Sequence, residues 1–235
     1  MRIHHIHFDS HESTMEAARR EAPGYDFLLI TADIQTRGRG SKGRPWHSPK
    51  GNVYLTLAVH KNFLPPNRLR LFPLEVGLVL WESAAACVSP VHRPLLHLKW
   101  PNDLLLGKRK TAGMLLESAG EHMLIGLGVN IVEAPLISDG GSHSACLTEA
   151  EADSHCGPLL LASIFSETIQ ESLVKPQSEN ILEEWKEKAL WNNPFRLRDR
   201  PGQPQVLPVD VNSDGHLRIR FEDGHEEWLV SEYLA

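Results

Sequence analysis

Gln35-Thr-Arg-Gly-Arg-Gly-Ser-Lys-Gly-Arg-Pro-Trp-His-Ser-Pro-Lys-Gly51 carries Arg37, Arg39, Lys42, Arg44 and Lys50 and no acidic residue. Its glycines at 38, 40 and 43 lack the Cβ that would hold a ligand off the backbone. They also permit φ > 0, so the amides can turn inward as an anion-binding nest. A phosphate or a carboxylate suits such a loop. The literal spacing Gly38-x-Gly40-x-x-Gly43 matches the dinucleotide-binding fingerprint and follows a strand-like run, Phe27 to Thr31. That fingerprint works only where its last glycine opens a helix, and Pro45, Pro49 and Gly51 forbid one for the next two turns. The stretch is therefore expected to be a mobile loop and not the start of a doubly wound fold. On composition alone a solvated connection stays open.

The strands on either side support the loop reading. Phe27 to Thr31 and Asn52 to Val59 are rich in Leu, Val, Thr and Tyr, so two sheet strands are expected with the basic loop between their ends. Upstream, residues 2 to 9 read as a short strand with Ile6 and Phe8 on one face. A helix follows from Met15 to Arg20, with Ser13 or Thr14 as N-cap and Glu16 in capping-box position. Pro65-Pro66 marks a turn. Leu74 to Val88 is apolar nearly all round, which predicts a helix buried against the sheet.

Residues 96 to 117 read as strand, break at Trp100-Pro101, strand, basic turn at Gly107 to Lys110, and strand. Lys99, Asn102, Asp103 and Lys110 interrupt these apolar strands. Each polar group buried without a partner costs about 1–3 kcal/mol, so they are expected to face a polar cavity. Met123 to Val129 is a further strand ending Gly126-Leu-Gly128-Val-Asn130, and Pro135 to Gly141 a loop. Helices are expected from Leu159 to Val174 and from Glu179 to Leu190, the second with Ile181, Leu182, Trp185 and Ala189 on one face. Strands interleaved with segregated helices predict an α+β fold with a mostly antiparallel sheet over residues 1–190. Two hairpins, at Asn212 to Gly215 and Glu222 to His225, predict a small β-domain over residues 191–235.

Composition narrows the function. The 235-residue chain has a net charge of −6, which argues against coating nucleic acid; its cations gather in the loop and at Lys108-Arg109-Lys110, a pocket-like distribution. No run approaches the roughly 18 apolar residues of a membrane span, and the start has no signal-peptide core, so a cytoplasmic protein is expected. Cys87, Cys146 and Cys156 are odd in number and scattered, which predicts reduced thiols. His4, His5, His7 and His11 are read as surface strand residues, since no second ligand cluster is evident. The spacing of His143, Cys146, His155 and Cys156 matches no usual zinc site.

A cationic glycine loop, a lysine-bearing strand pair and a Gly-x-Gly-x-Asn strand end could together hold a ligand with several negative charges. Bringing a carboxylate to about 4 Å from an α-phosphate costs on the order of 4 kcal/mol at intermediate dielectric, which cations and Mg²⁺ must offset. Carboxyl activation by adenylation is a reaction that needs this arrangement.

The segments Arg37-Gly-Arg-Gly-Ser-Lys-Gly-Arg-Pro-Trp46, Lys99-Trp-Pro-Asn-Asp103, Arg109-Lys-Thr-Ala-Gly113 and Gly126-Leu-Gly-Val-Asn130 resemble, in order and spacing, the motifs of the biotin-protein ligases. The likeness runs from Ser13 to Asn130, and the terminal hairpins look like that family's small SH3-like domain. It implies a catalytic domain similar to class II aminoacyl-tRNA synthetases and to biotin/lipoate A/B ligases. It also implies formation of biotinyl-AMP from biotin and ATP with Mg²⁺, and transfer of biotin to a lysine of a carboxylase's biotin carboxyl carrier domain. Carried over, Ser13, Thr14 and Gln35 would bind the biotin head group. Gly38, Arg39 and Gly40 would close over the carboxylate and phosphate. Lys110 would touch both groups as the main catalytic cation, Arg39 acting with it. Trp46 would pack on the adenylate, Asn130 would read adenine, and Gly113, Gly126 and Gly128 would allow close approach. No metal-ligating residues are implied.

Ser41 stands where many members carry another arginine, Met15 replaces the common asparagine after Ser-Thr, and the terminal domain is short. No winged-helix domain precedes Ser13, so no DNA-binding role is expected. A homodimer is left open. Two other readings stay open beside biotin ligation: a lipoate- or octanoate-handling enzyme, weakened because no cysteine lies within these motifs, and a non-catalytic biotin- or nucleotide-binding protein.

Overall fold

The computed structural model describes residues 2–135, 144–151, 156–197 and 200–230. Seven strands form one sheet: β1 (His4–Phe8), β2 (Phe27–Ala32), β3 (Val53–His60), β4 (Leu96–Lys99), β5 (Asp103–Leu106), β6 (Arg109–Ala119) and β7 (His122–Val129). Their spatial order is β1-β2-β3-β7-β6-β5-β4. Only β1 and β2 run parallel; the other neighbours are antiparallel, as the sequence predicts.

The period-2 alternation of each strand sorts the two faces. Phe27, Leu29, Leu55, Leu57, Ile125 and Leu127 join the larger core, which the helices α3 (Phe72–Cys87) and α4 (Pro158–Leu173) cover. The single-turn helix α2 (Pro66–Leu69) precedes α3. The other face, with Leu28, Ile30, Ala58, Leu115 and Leu124, packs against α1 (Thr14–Glu21). Because α1 has only 8 residues, it covers part of this face and leaves the rest to the basic loop.

A second sheet has the order β11-β10-β9-β8, from β8 (Phe195–Arg196), β9 (Gln205–Val211), β10 (Leu217–Phe221) and β11 (Glu226–Leu229). The helix α5 (Ile181–Lys188) lies between the sheets, and Lys186 pairs with Asp210 of β9 at 3.0 Å. Burial alone would lower the Lys186 pKa, but hydrogen bonds to Asp210 and Glu183 outweigh it and raise it.

Several expectations are corrected. Cys87 and Cys156 are bonded as a disulfide, because α3 packed on α4 brings their Cα atoms to 5.3 Å despite a sequence separation of 69. Only Cys146 is a free thiol among the described residues. Ser13 is the N-cap of α1, yet its side chain makes no capping bond, and Glu16 binds Arg39 instead of closing a capping box. The expected helix over 179–190 is shorter, since Ala189 and Leu190 leave it to pair with Leu98 of β4. Pro66 opens a helix instead of a plain turn. The basic turn is confined to Gly107 and Lys108, which places Lys110 inside β6. Residues 136–143 and 152–155, including His143, His155 and most of the predicted 135–141 loop, lie outside the described residues.

Candidate active site

The basic stretch folds back on itself. Trp46 N donates to Gly38 O at 2.8 Å, Gly40 N donates to Arg44 O at 2.7 Å, and Arg39 bridges Pro45. Ser41–Gly43 form a single 3₁₀ turn, and no longer helix follows, as the prolines require. Gly43 sits at φ 69°, but Gly38 and Gly40 do not adopt positive φ. The nest predicted from all three is therefore not what forms. Gly38 is a glycine for closeness: a Cβ there would lie 2.5 Å from Trp46 O and 2.6 Å from the Ser48 hydroxyl.

This fold-back aims Trp46 at the sheet. Gly113 and Gly128 are cross-strand partners on β6 and β7 and form a bare strip on the α1 face. A Cβ on Gly128 would stand 2.4 Å from the Trp46 indole, so the ring lies directly on the backbone there. Its Nε1 is buried and has no hydrogen-bond partner among the described residues.

Lys110 reaches the same strip because of a bulge. Leu104 pairs with Ala112 and Leu105 with Lys110, so Thr111 is the extra residue and the alternation reverses across it. Lys110 thereby shares a face with Gly113. Its Nζ lies 2.6 Å from Asp103 Oδ1 and 5.1 Å from the centre of the Trp46 ring. Lys99 Nζ stands 4.0 Å from the other Asp103 oxygen. The sequence predicts that Lys99, Asn102, Asp103 and Lys110 face a polar cavity; in the structure Lys99, Asp103 and Lys110 form one ion-paired group. The side chain of Asn102, in the turn before β5, donates to Met114 O of β6 at 2.8 Å.

At the start of α1, Thr14 N and Oγ1 donate to Gln35 Oε1 at 2.9 and 3.1 Å, and Thr56 Oγ1 donates to Thr14 Oγ1 at 2.9 Å. Gln35 Nε2 donates to Ser48 Oγ at 3.0 Å, which in turn donates to Trp46 O. Thr14 and Gln35 therefore meet, next in sequence to Ser13, and through Ser48 they connect to Trp46. Thr56 and Ser48 were not singled out from the sequence; isolated hydroxyls in a strand and a Pro-rich loop carry no signal of their own. The Ser13 hydroxyl is buried and has no hydrogen-bond partner among the described residues.

Asn130 follows the end of β7, its Nδ2 donating to Ala145 O at 3.1 Å. That contact fixes the amide and leaves the buried Oδ1 as an acceptor with no hydrogen-bond partner among the described residues. The adjoining Arg109–Glu149 pair holds the Glu149 carboxyl below its ordinary range through the hydrogen bond from Arg109.

Arg39 is not with Lys110. Its guanidinium is held by Glu16 at 2.7 Å and Glu117 at 3.3 Å, where Glu117 also takes Arg19 at 2.6 Å. Glu117 lies four residues beyond Gly113, about 13 Å along the strand. Between them Met15 packs its sulfur over Gly126, while Gly40 lies in the turn of the loop. The strip is thus filled by the chain's own Trp46 and Met15. A cavity of about 580 Å³ opens instead toward the other end of the sheet, beside Tyr25, His60 and His122; it is lined also by Arg19 and not by Lys110, Trp46 or Asn130.

Chemically, this is a buried recess of hydroxyl and amide groups, a cation braced by a carboxylate, an indole lying on backbone and an amide oriented by the main chain. It suits a long ligand that is polar at both ends and anionic in the middle.

The biotin/lipoate A/B protein ligase family model matches residues 7–130. The chain is 35% identical to the biotin–[acetyl-CoA-carboxylase] ligase of Paracoccus denitrificans over 130 residues, 53% of either protein, so the match spans about half of that protein's length. It is 28% identical over 217 residues to the enzyme of that name from Mycobacterium tuberculosis, covering 90% of this chain and 80% of that one. The crystal structure of the biotin protein ligase from Leishmania major in complex with biotin superposes with a TM-score of 0.74 at 30% identity, covering 98% of each chain. The same protein in complex with biotinyl-5-AMP superposes at 0.72. Among the described residues, no helix is long and apolar enough to cross a membrane.

Proposed function

The chain belongs to the biotin/lipoate A/B protein ligase family, and from that premise we propose that it is a biotin-protein ligase. It joins biotin to ATP as biotinyl-AMP and passes the biotinyl group to a lysine of a biotin carboxyl carrier domain. The observation that carries this reading is Lys110, a cation set inside an apolar strand by a bulge, braced by Asp103 and facing the Gly113–Gly128 strip.

Biotin's head group enters among Ser13, Thr14 and Gln35, where the unanswered Ser13 hydroxyl is available to it. Its carboxylate then points along the α1 face toward Lys110. A carboxylate oxygen attacks the α-phosphorus of ATP, the bond to the bridging oxygen breaks, and pyrophosphate leaves. The Lys110 ammonium stabilises the charge on the carboxylate and α-phosphate as they approach, a role worth about 10²–10³ in rate for a single well-placed donor. In the second step the carrier lysine's neutral amine attacks the acyl carbon, AMP leaves and the amine loses a proton. Asn130 Oδ1, fixed by Ala145, accepts from the adenine amino group. Trp46 packs on the adenylate, for which it must slide off the strip it now covers. Arg39 joins Lys110 by leaving Glu16 and Glu117, carried by Gly38 and Gly40 as the loop shifts.

Mg²⁺ fits as the counter-ion of the triphosphate. Asp103 is the carboxylate beside Lys110, and one carboxylate suffices for an ion that takes most of its ligands from phosphate and water. When bound it would neutralise phosphate charge. We read residues 1–190 as a class II synthetase-like catalytic domain and 191–235 as a small SH3-like domain. A cytoplasmic location is part of this reading, since the reaction consumes ATP.

Purified protein is expected to catalyse biotin-dependent exchange of pyrophosphate into ATP, and Lys110→Ala to lower that rate by about 10²–10³-fold. Exchange supported by octanoate and not by biotin would replace this reading with a lipoate-type enzyme. Biotin binding without exchange would leave a binding protein.

A further inference from the structure

Outside the recess, one cluster has the makings of a metal centre. β1 and β2 run parallel in a register that pairs His7 with Thr31 and Phe8 with Ala32. The residues that follow, Asp9 and Asp33, therefore emerge side by side at one end of the sheet, where an antiparallel pair would send them to opposite ends. Strand alternation puts His7 on the same face as Asp9. One ligand atom from each of His7, Asp9 and Asp33 lies within 4.8 Å of the others.

The imidazole is oriented by a buried partner. Thr31 Oγ1 engages His7 Nδ1 at 2.9 Å, which leaves Nε2 facing Asp33 Oδ1 at 3.6 Å. Metal-bound imidazoles are commonly held in this way through the second ring nitrogen. The cluster also already attracts a cation: Lys50 Nζ, from the end of the basic loop, sits 3.1 Å from Asp33 Oδ2. Lys50 is well exposed, so little energy holds it there and an ion of higher charge can replace it. Among the described residues, Asp9 forms no ion pair, so one of the two converging carboxylates remains uncompensated.

We propose that His7, Asp9 and Asp33 form a site for a divalent transition-metal ion, with Lys50 as the cation that holds the place when no metal is bound. One imidazole nitrogen and two carboxylates suit borderline ions such as Zn²⁺, Co²⁺ or Mn²⁺, with water completing the shell. Metal binding frees Lys50 from Asp33 and so loosens the tie between the loop's end and the sheet. The site is independent of the biotin reading.

Titration of the full chain with Co²⁺ alone, followed by its visible d–d absorption, is expected to reveal one saturable site from which Zn²⁺ displaces cobalt. Asp33→Asn and His7→Gln, which remove direct ligands, should each weaken it by at least the roughly 10–100-fold that loss of an outer-shell partner costs. Asp9→Asn, at an exposed position, does the same without touching the fold. Lys50→Ala should tighten binding, because the competing ammonium is gone; adventitious binding to the chain's other histidines would not respond this way. Cobalt binding unchanged in Asp33→Asn and in Asp9→Asn, or unaltered by Lys50→Ala, overturns the proposal.

Discussion

Two groups of buried polar side chains lie on opposite faces of the main sheet, and they differ in how completely they are answered. Under α3, Arg68 donates from Nε to Glu75 at 3.0 Å, from Nη1 to Lys175 O at 2.9 Å and from Nη2 to Ser172 O at 2.8 Å. Glu75 takes a further bond from Gln177 at 3.1 Å and one from the Ser172 hydroxyl. On the α1 face, Ser13 Oγ, Trp46 Nε1 and Asn130 Oδ1 are just as deeply buried and lack partners among the described residues. Leaving such atoms unanswered costs free energy, so their persistence needs a reason. The closed cluster holds the fold together, whereas the open one is a set of donors and acceptors awaiting a ligand.

The sharpest way to break this contrast is to damage the closed cluster. Arg68→Ala leaves Glu75 buried and unpaired, and removing one partner of a buried pair costs about 3–5 kcal/mol. For a chain of this size that lowers the melting temperature by roughly 10 °C. Biotin affinity measured below the new melting point should stay the same. A change in affinity comparable to the loss of stability would show that the two faces are not separable.

Gly128→Ala probes the open face at its most crowded point. Its Cβ would stand 2.4 Å from the Trp46 indole, so the ring must leave the strip. Because the indole belongs to a surface loop, the stability cost should fall at the low end of the roughly 1–3 kcal/mol typical of overpacking. The KM for ATP should rise, since the added methyl occupies ground the adenylate needs. Denaturant melts and steady-state kinetics give both numbers. An unchanged KM would mean that the strip serves Trp46 alone.

This contrast was only half legible in the sequence. The strands on either side of the loop and the mostly apolar helix at Phe72–Cys87 follow from local pattern, and Lys110 stood out as a cation in an apolar run. That Lys110 faces the strip depends on the bulge at Thr111, which no periodicity reveals. Arg68 follows two prolines and looks solvated; only the packing of α4 behind α3 buries it. The Cys87–Cys156 bond and the meeting of Asp9 with Asp33 are likewise products of which elements become neighbours, and in which direction they run. Arg39 was legible as a loop cation, but its hold on Glu16 and Glu117 depends on where α1 and β6 come together.

The smallest expected effect discriminates best between the two faces. Ser13 caps α1 in position but not in bonding; the residue is 2% exposed, and its hydroxyl has no hydrogen-bond partner among the described residues. An ordinary N-cap serine replaced by alanine costs about 0.5–2 kcal/mol. Here no capping bond is lost, and an unanswered buried oxygen is removed, so Ser13→Ala should leave stability within about 0.5 kcal/mol or raise it slightly. The same change removes a hydrogen bond to the bound head group and should weaken biotin binding by about tenfold, or roughly 1.4 kcal/mol, as calorimetric titration would show. A clear loss of stability with unchanged biotin affinity would make Ser13 a structural group after all. It would also remove the distinction between a polar cluster that is closed and one that waits.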